Sequence, residues 1–440
     1  MTPSLIIQGW ENKTDFRTIP EEYQHLMEYL DQCIANHKGE TREILGLRKK
    51  KSGLAPGNFI GMVWLGEDEN RGVLRVDSKF EDMDYIAMYA ECLKHPEIGK
   101  RTVECLKFWT EQDPIDTNKH DDVVILIVIA YLHELNELCR RHMRRHFIRE
   151  RQNFVGKMKG KIIVSENIRR NTIHARPDRI YCEFQSVSNN ILENQILRTA
   201  LERASRYFTE YSGNKNELDM LPQWIRASRA ALHDVSTRHV KPGDFIAARK
   251  RGAFAFYASS LALAKAVLQQ LGPNPKTEII QTQTPPFALN SAELFERYAE
   301  MRLLENYEEL LPVEDTSSHV AGDFDVTVRP DFYVPSEQTP RIIDAKYKDI
   351  KFTDIEISDN NDEELKPSRD DIYQVVAYSR HQGLLRKMNC DDSDSIELGL
   401  AYPYVDESKE SVISRKQTNA FKSPLTVYGI PCPTKNNEMK

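Results

Sequence analysis

The chain has 440 residues, a formal net charge of −7, 40% hydrophobic residues and 29% charged ones. That length exceeds one small module and points to about three domains, while the composition excludes a disordered or fibrous chain. The acidic balance gives no global reason to expect nucleic acid, which a basic excess would signal.

Cys33, Cys92, Cys105, Cys139, Cys182, Cys390 and Cys432 form no C-x-x-C pair. Neither a zinc ribbon nor a disulfide framework is expected, and a reducing cytoplasm fits. The longest apolar run, Val123 to Leu132, falls short of the roughly 20 residues that span a bilayer and reads as a buried helix. The opening MTPSLIIQGWENKTD lacks a basic stretch followed by an apolar one, so neither a secretory signal nor a membrane partner is expected.

From Asn58, NFIGMVWLGEDENRGVLRVDSKF alternates β-branched and aromatic residues around a polar turn. It predicts a hairpin within an N-terminal β-containing domain over 1–115. A mixed helical and β, largely helical region is expected over 116–284. From Cys139 to Arg179 it carries thirteen Lys or Arg against three acids, which reads either as a solvated helix end or as a phosphate-contacting surface. On the second reading Arg140, Arg141, Arg144, Arg145, Lys157, Lys159 and Lys161 contact DNA. Leu192–Arg206 and Arg251–Leu271 have helical spacing. A polar, Pro-containing connection then leads into a last domain over 285–440.

That domain opens with SAELFERYAEMRLLENYEELL, where Ser291 is expected to cap a helix burying Leu294, Phe295, Tyr298 and Leu303. FDVTVRPDFYV and RIIDAKYKDI read as paired strands, with Asp331 on the first and Asp344 and Lys346 on the second. Residues two apart on a strand share a face, so Asp344 and Lys346 point together, and pairing brings Asp331 beside them. Two carboxylates suit Mg²⁺, which polarises a phosphate and acidifies water, while a lysine orients the attacking water and offsets charge. The same residues also fit a turn cap and a surface ion pair. Glu296 on the preceding helix is a third candidate carboxylate, with Glu293 and Glu300 as alternatives. Downstream, DIYQVVAYSRHQG is helical and sets Gln374 and Tyr378 on one face.

This order of acidic helix, strand with Asp, strand with D-x-K and helix with Q-x-x-x-Y resembles the PD-(D/E)xK nucleases, especially their RecB-like branch. The resemblance assigns Gln374 and Tyr378 to the active-site motif and implies a restriction-endonuclease-like α/β domain in an α+β multidomain chain. RPDFYVPSEQTPRIIDAKYKDI with LFERY before it, NFVGKMKGKIIVSENI and YCEFQSVSNNILENQILRTAL in the middle, and the hairpin FIGMVWLGEDENRGVLRV resemble the McrC family, the nuclease subunits of McrBC-type restriction systems. The chain departs at Ser78-Lys79, where many members carry a P-K pair. The resemblance spans most of the chain and is carried least by 207–284. It implies Mg²⁺, with Mn²⁺ as a substitute, double-stranded and modified DNA, and a hexameric AAA+ partner like McrB that hydrolyses GTP or ATP. This chain itself is expected to bind no nucleotide, because GKMKGK from Gly156 is followed by Ile162 where a P-loop needs Ser or Thr.

Two other functions fit the same motifs: a stand-alone RecB-like repair nuclease, and a non-catalytic adaptor that activates an NTPase. HMRRH lacks the Glu of H-E-x-x-H and surrounds His142 and His146 with Arg, which argues against zinc. The eight carboxylates from Asp354 to Asp371 read as a solvated loop.

Overall fold

Strand β1 (Ile6–Trp10) pairs in parallel with β3 (Gly72–Asp77), and β2 (Phe59–Leu65) forms with β3 the antiparallel hairpin that its β-branched composition predicts. The structure is a computed structural model describing residues 6–10, 48–50, 53–65, 72–109, 112–113, 115–116, 120–141, 143–211, 220–271, 283–307, 310–312, 329–335, 340–348, 367–380, 385, 388, 396–404, 413–417 and 423–435. After β3, Asp84 accepts from the Ile86 and Ala87 amides and starts helix α1 (Tyr85–Lys94), a side-chain cap worth about 1 kcal/mol. Helix α2 (Pro96–Thr102) follows, with proline in its first turn, where the missing N–H costs nothing. The short strand β4 (Leu106–Phe108) closes this segment.

The chain divides into two units, residues 119–282 and residues 1–118 joined to 283–440. The 119–282 unit opens with α3 (His120–Arg141), in which Val123 to Leu132 are all buried, each large apolar side chain contributing roughly 1.5–3 kcal/mol. The basic run does not continue this helix. It splits between the helix end, a connection, and strand β5 (His146–Val155). Strands β6 (Lys161–Ile162) and β7 (Arg179–Ser188) complete a three-stranded sheet in the order β5-β7-β6. One face holds a small core of Phe154, Cys182 and Phe184. At Gly160, φ is +70° and an added Cβ would lie 2.3 Å from the Glu183 carbonyl oxygen, so the turn after β5 requires glycine.

Helices α4 (Leu192–Tyr211), α5 (Leu221–Ala231) and α6 (Tyr257–Gln270) pack with α3. The last begins six residues later than the spacing from Arg251 implies, because Gly252–Phe254 forms a 3-10 turn. Buried Glu193 is satisfied by a two-pronged Arg249 contact at 2.8 and 3.0 Å.

The returning chain overturns the separation of first and last domains. Strand β8 (Phe287–Asn290) inserts between β2 and β4, so the N-terminal sheet is five-stranded in the order β1-β3-β2-β8-β4. Pairing satisfies backbone groups that β2 and β4 would otherwise present as edges. The close approach depends on Gly61, where a Cβ would sit 2.2 Å from the Phe287 carbonyl oxygen.

Helix α7 (Ser291–Leu303) follows at once. Its cap is Asn290, which accepts from the Glu293 amide, whereas Ser291 is helical and donates to the Asn58 carbonyl. Leu294, Phe295, Tyr298 and Leu303 are buried, as the spacing predicts. The second sheet contains β9 (Leu311–Pro312), β10 (Phe332–Val334), β11 (Arg341–Ala345), β12 (Glu397–Tyr404), β13 (Ile413–Gln417) and β14 (Leu425–Pro431). Their order is β9-β10-β11-β12-β14-β13, with β11, β12 and β14 parallel. Strands β12 and β14 are buried throughout, as parallel central strands are. Helix α8 (Arg369–Ser379) lays Val375 and Tyr378 on the core of Ile342, Leu398, Leu400 and Tyr402. The architecture is thus α+β with several sheets. No helix among the described residues is long and apolar enough to cross a membrane.

Candidate active site

Strands β10 and β11 run antiparallel with Phe332 opposite Ile343, so Asp331, one residue before β10, comes level with Asp344. Asp331 therefore precedes its strand and Lys346 follows β11 by one residue, although both were expected inside. Backbone bonds still fix them. The Ala345 amide donates to Asp331 Oδ2 at 2.7 Å, and the Lys346 amide donates to the Ala401 carbonyl at 2.7 Å.

Asp344 is 2% exposed and its Oδ2 forms an ion pair with Lys346 Nζ. That contact lacks hydrogen-bond geometry, leaving a buried carboxylate oxygen without a hydrogen-bond donor. Burial, then the Asp344 charge, then Glu296 push the Asp331 carboxyl well up. Burial also raises Asp344 against the lowering effect of Lys346. A carboxyl raised by the charge of its neighbour marks a place where a cation would relieve repulsion.

Lys346 Nζ donates to Gln374 Oε1 at 2.8 Å, and Gln374 Nε2 donates to the Tyr378 hydroxyl. The four-residue spacing on α8 thus becomes a relay that orients the lysine. Burial, then the Asp344 charge, push Tyr378 up to about 12, so its hydroxyl keeps its proton at neutral pH.

Of the three candidate carboxylates on α7, Glu300 is set apart from the cleft that Glu293 and Glu296 line. Glu300 is buried and committed to Arg101 at 2.5 Å. Glu293 accepts from Asn290 Nδ2 and pairs with Arg297 at 3.6 Å. Glu296 pairs with Arg297 at 3.0 Å, and burial raises its carboxyl, with Arg297 opposing. Its effect on Asp331 puts it in the same electrostatic neighbourhood.

Glu293, Glu296, Asp331 and Lys346 line a cleft of about 900 Å³, together with Arg329, Lys348 and, from the N-terminal segment, Lys79. Sequence reasoning missed the last three. It also missed Asp371, which is buried, binds Lys348 Nζ at 2.5 Å and accepts from the Tyr402 hydroxyl at 2.8 Å. Burial would raise this carboxyl, but the bonds from Lys348, Ser368 and Tyr402 outweigh it and hold it below its usual value. The D-x-K-x-K spacing of Asp344, Lys346 and Lys348 was the available signal.

Among the described residues no three His, Cys, Asp or Glu side chains converge as a ready metal cage. Mg²⁺ does not require one, since it keeps several waters and is held by one or two carboxylates plus substrate phosphate. The hard oxygen donors of Asp331 and Asp344, one of them without a donor, fit that ion.

The basic candidates of the 119–282 unit have diverse local roles. Arg140 and Arg141 pair with Glu137 at 3.1 and 3.3 Å. Arg144 donates to the Ala253 carbonyl, and Arg145 is exposed. Lys157 and Lys159 lie 5.8 and 4.1 Å from the ring centres of Phe154 and Phe184. Lys161 is exposed on β6. His142, and the acidic residues 354–366, lie outside the described residues.

The family model described as McrBC 5-methylcytosine restriction system component matches residues 55–386. The chain belongs to the McrBC family. No curated protein matches it. Among solved structures, this McrBC-family chain is similar to one from Thermococcus gammatolerans described as a half-complex from a tetradecameric assembly of McrB AAA+ hexamers with bound McrC. The identity is 14%, the match covers 97% of this chain and 94% of that chain, and the TM-score is 0.41. A second is the cryo-EM structure of the Thermococcus gammatolerans McrBC complex, at 14% identity, covering 68% of this chain and 88% of that chain with a TM-score of 0.32.

Proposed function

We propose that this McrBC-family chain is the DNA-cleaving subunit of an NTP-driven, modification-dependent restriction complex. In this reading its second sheet with α7 and α8 is a PD-(D/E)xK nuclease. The observation that carries it is the register that sets Asp331 level with Asp344, with Lys346 held between Asp344 and Gln374. Asp331 and Asp344 would hold Mg²⁺, or Mn²⁺ in its place, and Glu296 is the nearby third carboxylate. The ion, when bound, supplies charge neutralisation at the scissile phosphate and acidifies water. Lys346 presents an ammonium at the same point, where it orients the attacking water and steadies negative charge that grows on the phosphate. Gln374 holds that ammonium in place, and the protonated Tyr378 hydroxyl holds Gln374.

The partner in this reading is a hexameric AAA+ GTPase or ATPase, which grips modified double-stranded DNA. Exposed Phe147, Met158, Val164 and Ile173 on the small sheet of the 119–282 unit and its flanking turns favour a protein surface there over naked DNA, because large exposed apolar side chains mark protein contacts.

Purified chain with its partner, DNA, Mg²⁺ and GTP or ATP is expected to produce DNA ends. Asp344→Ala or Lys346→Ala abolishes cleavage and leaves partner binding and NTPase stimulation intact. Undiminished cutting by those variants overturns the site. NTP turnover without DNA ends from the unmodified chain identifies an adaptor instead.

A further inference from the structure

The cleft has a wall that the nuclease motifs do not supply. Tyr347 follows Lys346 and is 8% exposed. The Lys348 amide donates to the Lys346 carbonyl at 2.8 Å, so Tyr347 is the middle residue of a tight three-residue turn that carries both lysines off the end of β11. Phe80 packs edge-on against its ring at 5.1 Å, and Phe295 of α7, the neighbour of Glu296, lies 5.9 Å from it. Its hydroxyl meets the Tyr85 hydroxyl at 2.6 Å, and Tyr85 meets Ser78 Oγ.

Lys79 completes this clasp from just after β3, 268 residues earlier in the chain. Its Nζ donates to the Tyr347 carbonyl at 2.6 Å and lies 3.8 Å from the centre of the Tyr347 ring. One ammonium thus fixes both the backbone and the side chain of the residue next to Lys346. The ammonium groups of Lys346 and Lys348 are held at their tips, by Asp344 and Gln374 and by Asp371, whereas the clasp holds the backbone from which they project. A small rotation of the Tyr347 peptide would swing both stems, and a misplacement of about 1 Å at a reacting centre can cost about a hundredfold in rate.

We propose that Lys79 and Tyr347 form a positioning pair for the Lys346 ammonium, in which the N-terminal segment sets the turn that presents this lysine to the scissile phosphate. The proposal rests on the nuclease reading of the same cleft. It makes the site composite: the last segment brings the chemistry, and the first brings the alignment.

The test is single-turnover cleavage of modified duplex DNA by the full-length chain with its AAA+ partner, Mg²⁺ and GTP or ATP. Lys79→Met keeps a long stem over the Tyr347 ring and removes the donor to the carbonyl. It is expected to slow cleavage about 10- to 100-fold, while duplex affinity with Ca²⁺ replacing Mg²⁺, NTP turnover and melting temperature stay at their wild-type values. Lys79→Arg, whose guanidinium can donate to the carbonyl and stack on the ring, restores the rate. Lys79→Met combined with Gln374→Ala is expected to lose little more than the worse single variant, because both loosen the same ammonium. A wild-type cleavage rate in Lys79→Met overturns the proposal, and so does a fully multiplicative loss in the double variant. A loss that comes with a lower melting temperature, or that Arg does not restore, overturns it as a packing role. Weaker duplex binding overturns it by placing Lys79 on the DNA, and lowered NTP turnover by placing it on the partner. The nuclease reading fails separately, through undiminished cutting by Asp344→Ala. A wild-type chain that yields no DNA ends overturns both.

Discussion

At the residue scale, the site depends on how little freedom Lys346 has. Its side chain is only 13% exposed, and its ammonium is bracketed by a carboxylate and an amide oxygen. Gln374 accepts from the Lys346 ammonium and, in the proposed reading, acts through it. Gln374→Ala is therefore expected to lower kcat about 10- to 100-fold, the usual cost of removing an orienting partner, with KM little changed. Gln374→Glu is expected to trap Lys346 in a stronger ion pair and to lose activity as well. Steady-state cleavage kinetics check both, and a change confined to KM contradicts the orienting role.

A second residue-scale effect lies in the 119–282 unit. Burial pushes His133 down to about 4, and its ring stands edge-on to Trp224 at 5.3 Å. The ordinary histidine value is about 6.5, so as pH falls the unfolded chain takes up this proton before the folded one does. The contribution to stability is complete above about pH 6.5 and is lost between there and about pH 4, amounting to about 3 kcal/mol. Urea unfolding followed by tryptophan fluorescence across that window checks it, and His133→Leu is expected to flatten the profile. An unchanged slope in the variant contradicts the assignment.

At the element scale, β8 decides how the first unit is built. Its residues Phe287 to Leu289 pair on both sides, Asn290 pairs with β2, and the strand leads directly into α7, which carries Glu296. Any shift of β8 therefore moves the acidic helix relative to Asp331. Gly61→Ala forces a Cβ to 2.2 Å from the Phe287 carbonyl oxygen, and separating the strands is expected to cost about 1–3 kcal/mol. A thermal melt should show a lowered transition, and cleavage should fall with it. A wild-type transition would mean that β2 and β8 separate without penalty.

Helix α8 is the other decisive element. Ser368 caps it, and Asp371 one turn later anchors Lys348 and Tyr402, fixing the rotation that presents Gln374 to Lys346. Its periodicity was legible in the sequence. The docking of Asp371 was not, because a helix-start aspartate reads as a solvated or dipole-stabilising residue until a tyrosine from β12 and a lysine past β11 are brought to it.

At the scale of the whole molecule, the first and last segments form one unit while residues 119–282 form another. The chain leaves the first unit just after Ile115–Asp116 and returns at Gln283–Thr284, and these pairs are themselves hydrogen-bonded neighbours. A short Gly-Ser bridge from Asp116 to Gln283, deleting the intervening unit, is expected to leave the first unit folded with a cooperative melt. The segment 285–440 alone is expected not to melt cooperatively. It loses both neighbours of β8 and strands Glu300 without Arg101, and breaking a buried pair in this way costs about 3–5 kcal/mol against a typical total of about 5–15 kcal/mol. A sharp transition in the isolated segment contradicts the composite unit.

What the sequence by itself determined is the set of local signals. It marked the hairpin after Asn58, the buried helix at Val123, the stripe on α7 and the Asp331, Asp344, Lys346, Gln374 and Tyr378 constellation. Each of these rests on residues a few positions apart or on a motif whose order along the chain is its meaning. Only the tertiary structure decided which α7 carboxylate adjoins Asp331, because Glu293, Glu296 and Glu300 differ in the partners that reach them, not in spacing. Only the fold revealed that Lys79 and Tyr347 share a wall and that three expected domains are two units. Those facts depend on strand insertion between segments more than two hundred residues apart, a non-local pairing that no local periodicity records.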